Sequence, residues 1–140
     1  MVVCQYLDNP LLIDGFKFDL RVYVAVTSIN PLRIYIYEDG LARFATQKYK
    51  HCVDPKTSKF THLTNYSLNK FSATFQENYD AFKDDQGSKQ SIAALRKKMK
   101  LAGHDDSLLF SKIEDIIVKT IISAEHIINN ATEMYCSYRN

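Results

Sequence analysis

At 140 residues the chain has room for one domain with a real core, and 46% hydrophobic and 12% aromatic residues mark it as globular, not disordered. Eighteen Lys and Arg against sixteen Asp and Glu leave a formal charge of +2, so bulk charge asks for neither nucleic acid nor a membrane surface. Cys4, Cys52 and Cys136 are odd in number, far apart and without a C-x-x-C pair, so neither a disulfide framework nor a zinc site is indicated, and they read as reduced thiols of a cytosolic protein.

The N-terminal MVVCQYLD has no basic start and no sustained apolar run, so it is not a secretory signal. Residues 2–7 are strand-like, Asp8-Asn9-Pro10 breaks them, and Asp14-Gly15 supplies a turn after the short apolar link at 11–13. Residues 16–26 (FKFDLRVYVAV) then alternate strictly: Phe16, Phe18, Leu20, Val22, Val24 and Val26 on one face, Lys17, Asp19 and Arg21 on the other. A half-buried strand with a solvated polar face shows the same pattern. Two cations bracketing one carboxylate, on a face that continues with Tyr23 and Ala25, also suit an anionic ligand, and both readings stand.

A second pair of strands is predicted at 32–38 and 41–46, joined by Asp39-Gly40, with Asn30-Pro31 as the corner before it. A strict two-residue turn sets Arg43 opposite Ile36, and one extra residue moves it to the other face, so its direction is open. On pattern alone Arg43 is an edge-strand arginine. Residues 47–60 read as a polar loop whose His51-Cys52 pair is too small for a metal site. The stretch 61–70 (THLTNYSLNK) is a loop rich in neutral donors and acceptors, which also suits a polar ligand. Residues 71–87 have no clear period and are expected to form a long loop.

Helices follow. Residues 88–102 carry Ile92, Leu95 and Met99 on one face, end at Gly103, and present the RKKMK run as a solvated face. Asp105, Asp106 and Ser107 offer an N-cap for a helix over about 108–128, with an apolar stripe of Leu109, Ile113, Ile116, Ile117, Ile121, Ala124 and Ile128. The tail 129–140 is predicted irregular, and the apolar run at 116–128 is too short and too charged to span a bilayer. Two Asn-x-Ser/Thr triplets, at Asn65 and Asn130, carry no glycan in an intracellular chain. Strands before helices give an α+β class. Gly15, Gly40, Gly87 and Gly103 are scattered, so no P-loop or G-x-G-x-x-G cradle exists, nor is there a G-x-S-x-G elbow or an H-E-x-x-H.

The string NPLLIDGFKFDLRVYVAVTSINPLRIYIYEDGLARFAT, then HLTNYSLNK and later Gly87-Ser88-Lys89, closely resembles the tubulin tyrosine ligase-like family of ATP-grasp amino-acid ligases, most of all its glutamylating branch. The resemblance runs from residue 2 to the end. It implies an incomplete ATP-grasp-type antiparallel sheet with C-terminal helices, so residues 1–140 are expected to be one partial ligase domain, with strands over about 2–46, a loop over about 47–87 and helices over about 88–128. It implies a tubulin polyglutamylase, in which ATP phosphorylates a glutamate side chain on a tubulin tail and the amino group of free L-glutamate attacks the acyl-phosphate. Tubulin and microtubules are then the partners, with no nucleic acid and no membrane, and the setting is the cytoplasm and cytoskeleton, cilium and basal body included.

Carried over by position, Cys4, Gln5, Tyr6 and Leu7 fall on the family's adenine-hinge strand, with Cys4 where the family commonly has Gln. Lys17, Phe18, Asp19, Thr64 and Asn65 match nucleotide contacts, and Arg21 matches the cation set against the transferring phosphate. Arg43, Tyr66, Ser67 and Lys89 match the pocket for the incoming glutamate. The residue types suit the chemistry: spread positive charge stabilises developing phosphoryl charge, and Arg grips a carboxylate with two parallel bonds. The Asp and Glu-x-Asn with which the family holds Mg²⁺ have no counterpart, so metal ligands are expected outside this sequence and none within it. The family's phosphate-covering loop is absent too. The alternative is a truncated, non-catalytic remnant that binds tubulin or nucleotide.

Overall fold

A computed structural model describes residues 1–51, 59–77 and 87–137 of the chain, with side chains given to residue 135. Four strands, β1 (Leu12–Ile13), β2 (Phe16–Ile29), β3 (Leu32–Phe44) and β4 (Lys89–Ser91), form one sheet in the order β1-β2-β3-β4. Two one-turn helices, α1 (Lys59–His62) and α2 (Tyr66–Asn69), precede α3 (Ile92–Leu101) and the long α4 (Asp106–Ser137). The expected α+β class is the observed one. The chain divides into two compact units, Met1–Arg21 with Asp39–Gly103, and Val22–Glu38 with His104–Asn140.

In the first unit Asp14-Gly15 makes the turn between β1 and β2, with Ile13 paired to Phe16. Both turn residues have positive φ, 54° and 82°, which is the two-residue hairpin geometry whose twist matches the strands. The other Asp-Gly pair does not turn. Asp39 and Gly40 lie inside the 13-residue β3, and the reversal happens earlier, at Asn30-Pro31. Gly40 is needed there for proximity: a Cβ on it would stand 2.3 Å from the Arg21 carbonyl oxygen and 2.9 Å from Ile92 Cδ1.

Asp39 has a different task as well. Its Oδ1 accepts from Gly40 N at 2.8 Å and from Ala93 N at 3.3 Å, so its charge sits at the N-terminus of α3, where unpaired N–H groups favour an anion. Ser91 caps the same helix by accepting from Ala94 N. Gly103, at φ 77°, lies just beyond the end of α3. The helix therefore starts at Ile92 rather than 88, because Lys89–Ser91 are drawn into the sheet beside β3. Ile92, Leu95 and Met99 are buried with Ala42, Phe44, Ala45, Ala94 and Ile13, and these form the core of the unit.

Residues 1–7 carry no strand, so the expected strand at 2–7 is not present. Tyr6 is held instead through its side chain, bonded to His62 Nδ1 at 2.8 Å, and the Tyr49 hydroxyl donates to Asp8 O at 2.8 Å. The polar stretch at 61–70 is not a plain loop: α1 and α2 bracket it, and Leu68 N and Asn69 N both donate to Asn65 O. Parts of the expected loops, residues 52–58 and 78–86, lie outside the described residues, as do the side chains of Cys52 and Cys136; Cys4 is an exposed free thiol.

In the second unit, Asp105 Oδ1 accepts from Leu108 N at 2.9 Å and caps α4. The helix runs to Ser137, well past the predicted end near 128, over a tail predicted irregular. Leu109, Ile113, Ile117, Ile121 and Ala124 are half-buried as the spacing predicts. Ile116 and Ile128, assigned to the same stripe, are 62% and 40% exposed. Periodicity sets the direction of an apolar side chain but not how much of the stripe finds a neighbour. Among the described residues no helix is long and apolar enough to cross a membrane.

Candidate functional site

Two contacts settle which way the central strand faces. The Phe18 ring packs on the Phe44 ring at 5.7 Å between centroids. The Asp19 carboxylate, on the opposite face, takes Arg43 Nε at 2.7 Å and Arg43 Nη2, a two-point ion pair. The bond from Ala45 N to Lys17 O at 2.9 Å sets Lys17 opposite Ala45 and hence Asp19 opposite Arg43. On the other side of β3, Arg43 pairs in register with Lys89 of β4. Asp19, Arg43 and Lys89 therefore form a row across three strands on one face, flanked along β2 by Lys17 and Arg21. Lys17, Arg21, Arg43 and Lys89 thus surround the Asp19 carboxylate, while the opposite face carries Phe18, Ala42, Phe44 and the buried Gln90.

The edge-strand reading of Arg43 is overturned here. β3 lies inside the sheet, between β2 and β4, and its guanidinium meets a carboxylate on a neighbouring strand.

Lys89 Nζ stands 4.3 Å from the centroid of the Tyr66 ring, a cation–π contact that brings α2 to the row. Arg43, Thr64, Tyr66, Asn69, Phe75 and Lys89 line one recess. At the other end of the face, Lys17 Nζ donates to the Tyr6 hydroxyl at 3.2 Å, and that hydroxyl in turn bonds His62 Nδ1 at 2.8 Å. The Tyr49 ring packs edge-on against His62 at 5.0 Å. Its pKa is pushed up to about 12, first by hydrogen bonding with Tyr6 and then by desolvation, so it remains a phenol at neutral pH.

The structure thus gathers Tyr6, Lys17, Asp19, Arg43, Thr64, Tyr66 and Lys89 around one face. It does not gather every expected residue. The Phe18 side chain faces the core, which leaves only its backbone to serve that face. Cys4, Gln5, Leu7, Asn65 and Ser67 are exposed and outside the row, and Arg21, on the same face of β2, is exposed as well. Among the described residues no group of three or more His, Cys, Asp or Glu is placed to hold a metal ion.

Sequence reasoning missed Asn69. It is 1% exposed and every amide atom is used: Oδ1 accepts from Thr46 N at 3.2 Å and Thr46 Oγ1 at 2.9 Å, while Nδ2 donates to Leu63 O at 2.7 Å and Asn65 O at 3.1 Å. This one side chain ties the end of β3 to the segment that carries Thr64, Asn65 and Tyr66. The only signal was its place four residues after Asn65, in a stretch where every neutral polar residue looked alike. Asn69→Asp would aim a carboxylate at two carbonyl oxygens, and it should cost about 2–4 kcal/mol and exceed Asn69→Ala, as read by the midpoint of urea unfolding.

Comparison with known proteins follows the same residues. The model of the Tubulin-tyrosine ligase family matches residues 1–140. The tubulin polyglutamylase TTLL5 of Homo sapiens is 46% identical over 140 residues, covering 100% of this chain and 11% of that protein. The tubulin polyglutamylase TTLL6 of Mus musculus is 48% identical over 131 residues, 92% of this chain and 15% of that protein. The tubulin monoglutamylase TTLL4 of Homo sapiens is 46% identical over 135 residues, 96% of this chain and 11% of that protein. The chain therefore spans 11–15% of the length of these relatives.

Proposed function

This chain belongs to the tubulin-tyrosine ligase family, and from that premise we propose that it is part of the catalytic core of an ATP-dependent ligase that adds glutamate to glutamate side chains of tubulin tails. The observation that carries the reading is the row Asp19, Arg43 and Lys89 beside Tyr66, with Lys17 on the same face. Both substrates, a nucleotide and a free amino acid, bring anionic groups, and this is the face with a surplus of cations. The relatives named as mono- and polyglutamylases support glutamate as the amino acid and tubulin as its acceptor.

In this reading Lys17 and Arg21 meet phosphate oxygens, Thr64 and Asn65 add neutral contacts to the nucleotide, and Tyr6 at the adenine end orients Lys17 through its hydroxyl. Cys4, Gln5 and Leu7 serve the adenine through backbone groups, and Phe18 does likewise beside Lys17 and Asp19. Arg43 and Lys89 grip the free glutamate, with Tyr66 and Ser67 as polar neighbours. Positive charge held in place before reaction lowers the cost of the charge that develops on phosphoryl and acyl oxygens. Mg²⁺ would neutralise phosphate charge in such a reaction, but the described residues offer no set of ligands that fits it. A protein of this activity works where tubulin is, in the cytoplasm and cytoskeleton, the cilium and basal body among their structures.

Residues 1–140 alone are expected to transfer no labelled glutamate to tubulin above a no-enzyme control, whereas the full-length parent chain should do so in an ATP-dependent way. ATP-dependent incorporation by the 140-residue chain would show that the described cations suffice without further carboxylates. Failure of the parent chain with both ATP and glutamate present would favour the remnant that binds tubulin or nucleotide without turnover.

A further inference from the structure

We infer that Asp19 is the positioning residue for Arg43, so that one carboxylate links the nucleotide and amino-acid subsites. The inference rests on the glutamate-ligase reading above and goes one step beyond it. Asp19 takes Nε and Nη2, which fixes both the plane and the rotation of the guanidinium. A guanidinium is a planar fork, and with its Nε edge committed to Asp19 its Nη1–Nη2 edge has a set direction. A substrate carboxylate therefore meets a side chain whose plane and rotation are already set.

Two effects of Asp19 on glutamate oppose each other. Its negative charge offsets part of the Arg43 charge and weakens the pull on a substrate carboxylate. Its two bonds order a long side chain that would otherwise sample many rotamers. The ordering effect wins, for two reasons. Asp19 and Arg43 side chains are 37% and 22% exposed, so water screens the long-range part of the charge effect. Lys89, Arg43's register partner, keeps the amino-acid end cationic whichever way Asp19 is changed. Asp19 also lies two residues from Lys17 on the same face, so a nucleotide held at Lys17 reaches the same carboxylate, whose oxygens each retain a second lone pair.

The test is glutamate-dependent turnover of the full-length parent chain at saturating ATP, with KM for glutamate and KM for ATP measured separately. Asp19→Asn keeps the shape but turns an NH₂ toward Nη2, and it should raise KM for glutamate roughly tenfold. The Asp19→Asn/Arg43→Ala double variant should have the same glutamate KM as Arg43→Ala alone, because Asp19 acts through Arg43. Asp19→Glu, which keeps a carboxylate on that face, should recover part of the loss and shows that the chain still folds. An unchanged or lowered glutamate KM in Asp19→Asn, or additive effects in the double variant, overturns the inference while leaving the amino-acid pocket intact. If Arg43→Ala itself leaves glutamate KM unchanged, the pocket reading falls, and the positioning role of Asp19 falls with it.

Discussion

Gly40→Ala is expected to destabilise the chain by about 3 kcal/mol or more, the upper end of what overpacking costs, and to lower the urea midpoint accordingly. The added Cβ would lie 2.3 Å from a backbone oxygen, that of Arg21, and 2.9 Å from Ile92 Cδ1. A flexible side-chain tip could swing aside, but a carbonyl in the middle of β2 cannot do so without parting β2 from β3. Ile92 cannot yield easily either, because it is 2% exposed beneath α3. Gly15→Ala provides the comparison. Its Cβ would meet only the Lys48 side chain, at 3.6 Å and beyond, and its φ of 82° carries the left-handed penalty of about 1–2 kcal/mol. The order of midpoints should be wild type, then Gly15→Ala, then Gly40→Ala. A Gly40→Ala chain as stable as wild type would mean that β2 and β3 are not so close at Arg21.

The contrast between the two Asp-Gly pairs shows what was legible in the sequence. Both are hairpin signals by local chemistry, and Asp14-Gly15 behaves as one. At Asp39-Gly40 tertiary structure decides: the Asp side chain turns to the N-terminus of α3 and the Gly admits a neighbouring carbonyl. The first depends on α3, which begins at Ile92, and the second on how closely β2 approaches β3, so no local pattern could contain either. The alternation of residues 16–21 was legible because a strand writes its two faces into the sequence with a period of two. The direction of Arg43 was not, since it depends on register across a turn whose position was mistaken. The apolar stripe of α4 was legible, whereas its cap residue was narrowed only to three candidates and its C-terminal end was missed. Asn69 was invisible for a further reason. A buried amide that closes four hydrogen bonds has the same composition as an exposed one that closes none.

Arg43→Ala in the full-length parent chain should raise KM for glutamate and lower catalytic efficiency roughly 30-fold or more, the effect of losing a charge-assisted pair at a cost on the order of 2–5 kcal/mol. The site explains why the loss should be that large. Arg43 is 22% exposed in its side chain, already ordered by Asp19, and sits in register with Lys89. Its removal withdraws the donor fork that Asp19 holds in place, and that lost attraction is the whole of the expected effect. Arg43→Lys should recover little. An ammonium supplies one point of charge and cannot reproduce the planar fork that makes two bonds to Asp19. KM for ATP should barely change in either variant, whereas Lys17→Ala should raise KM for ATP, because Lys17 lies at the Tyr6 end of the face. Glutamate and ATP titrations on the three variants separate these effects. Near-normal glutamate kinetics in Arg43→Ala would confine the Asp19–Arg43 pair to holding β2 against β3, and the amino acid would then have to be held elsewhere in the parent chain.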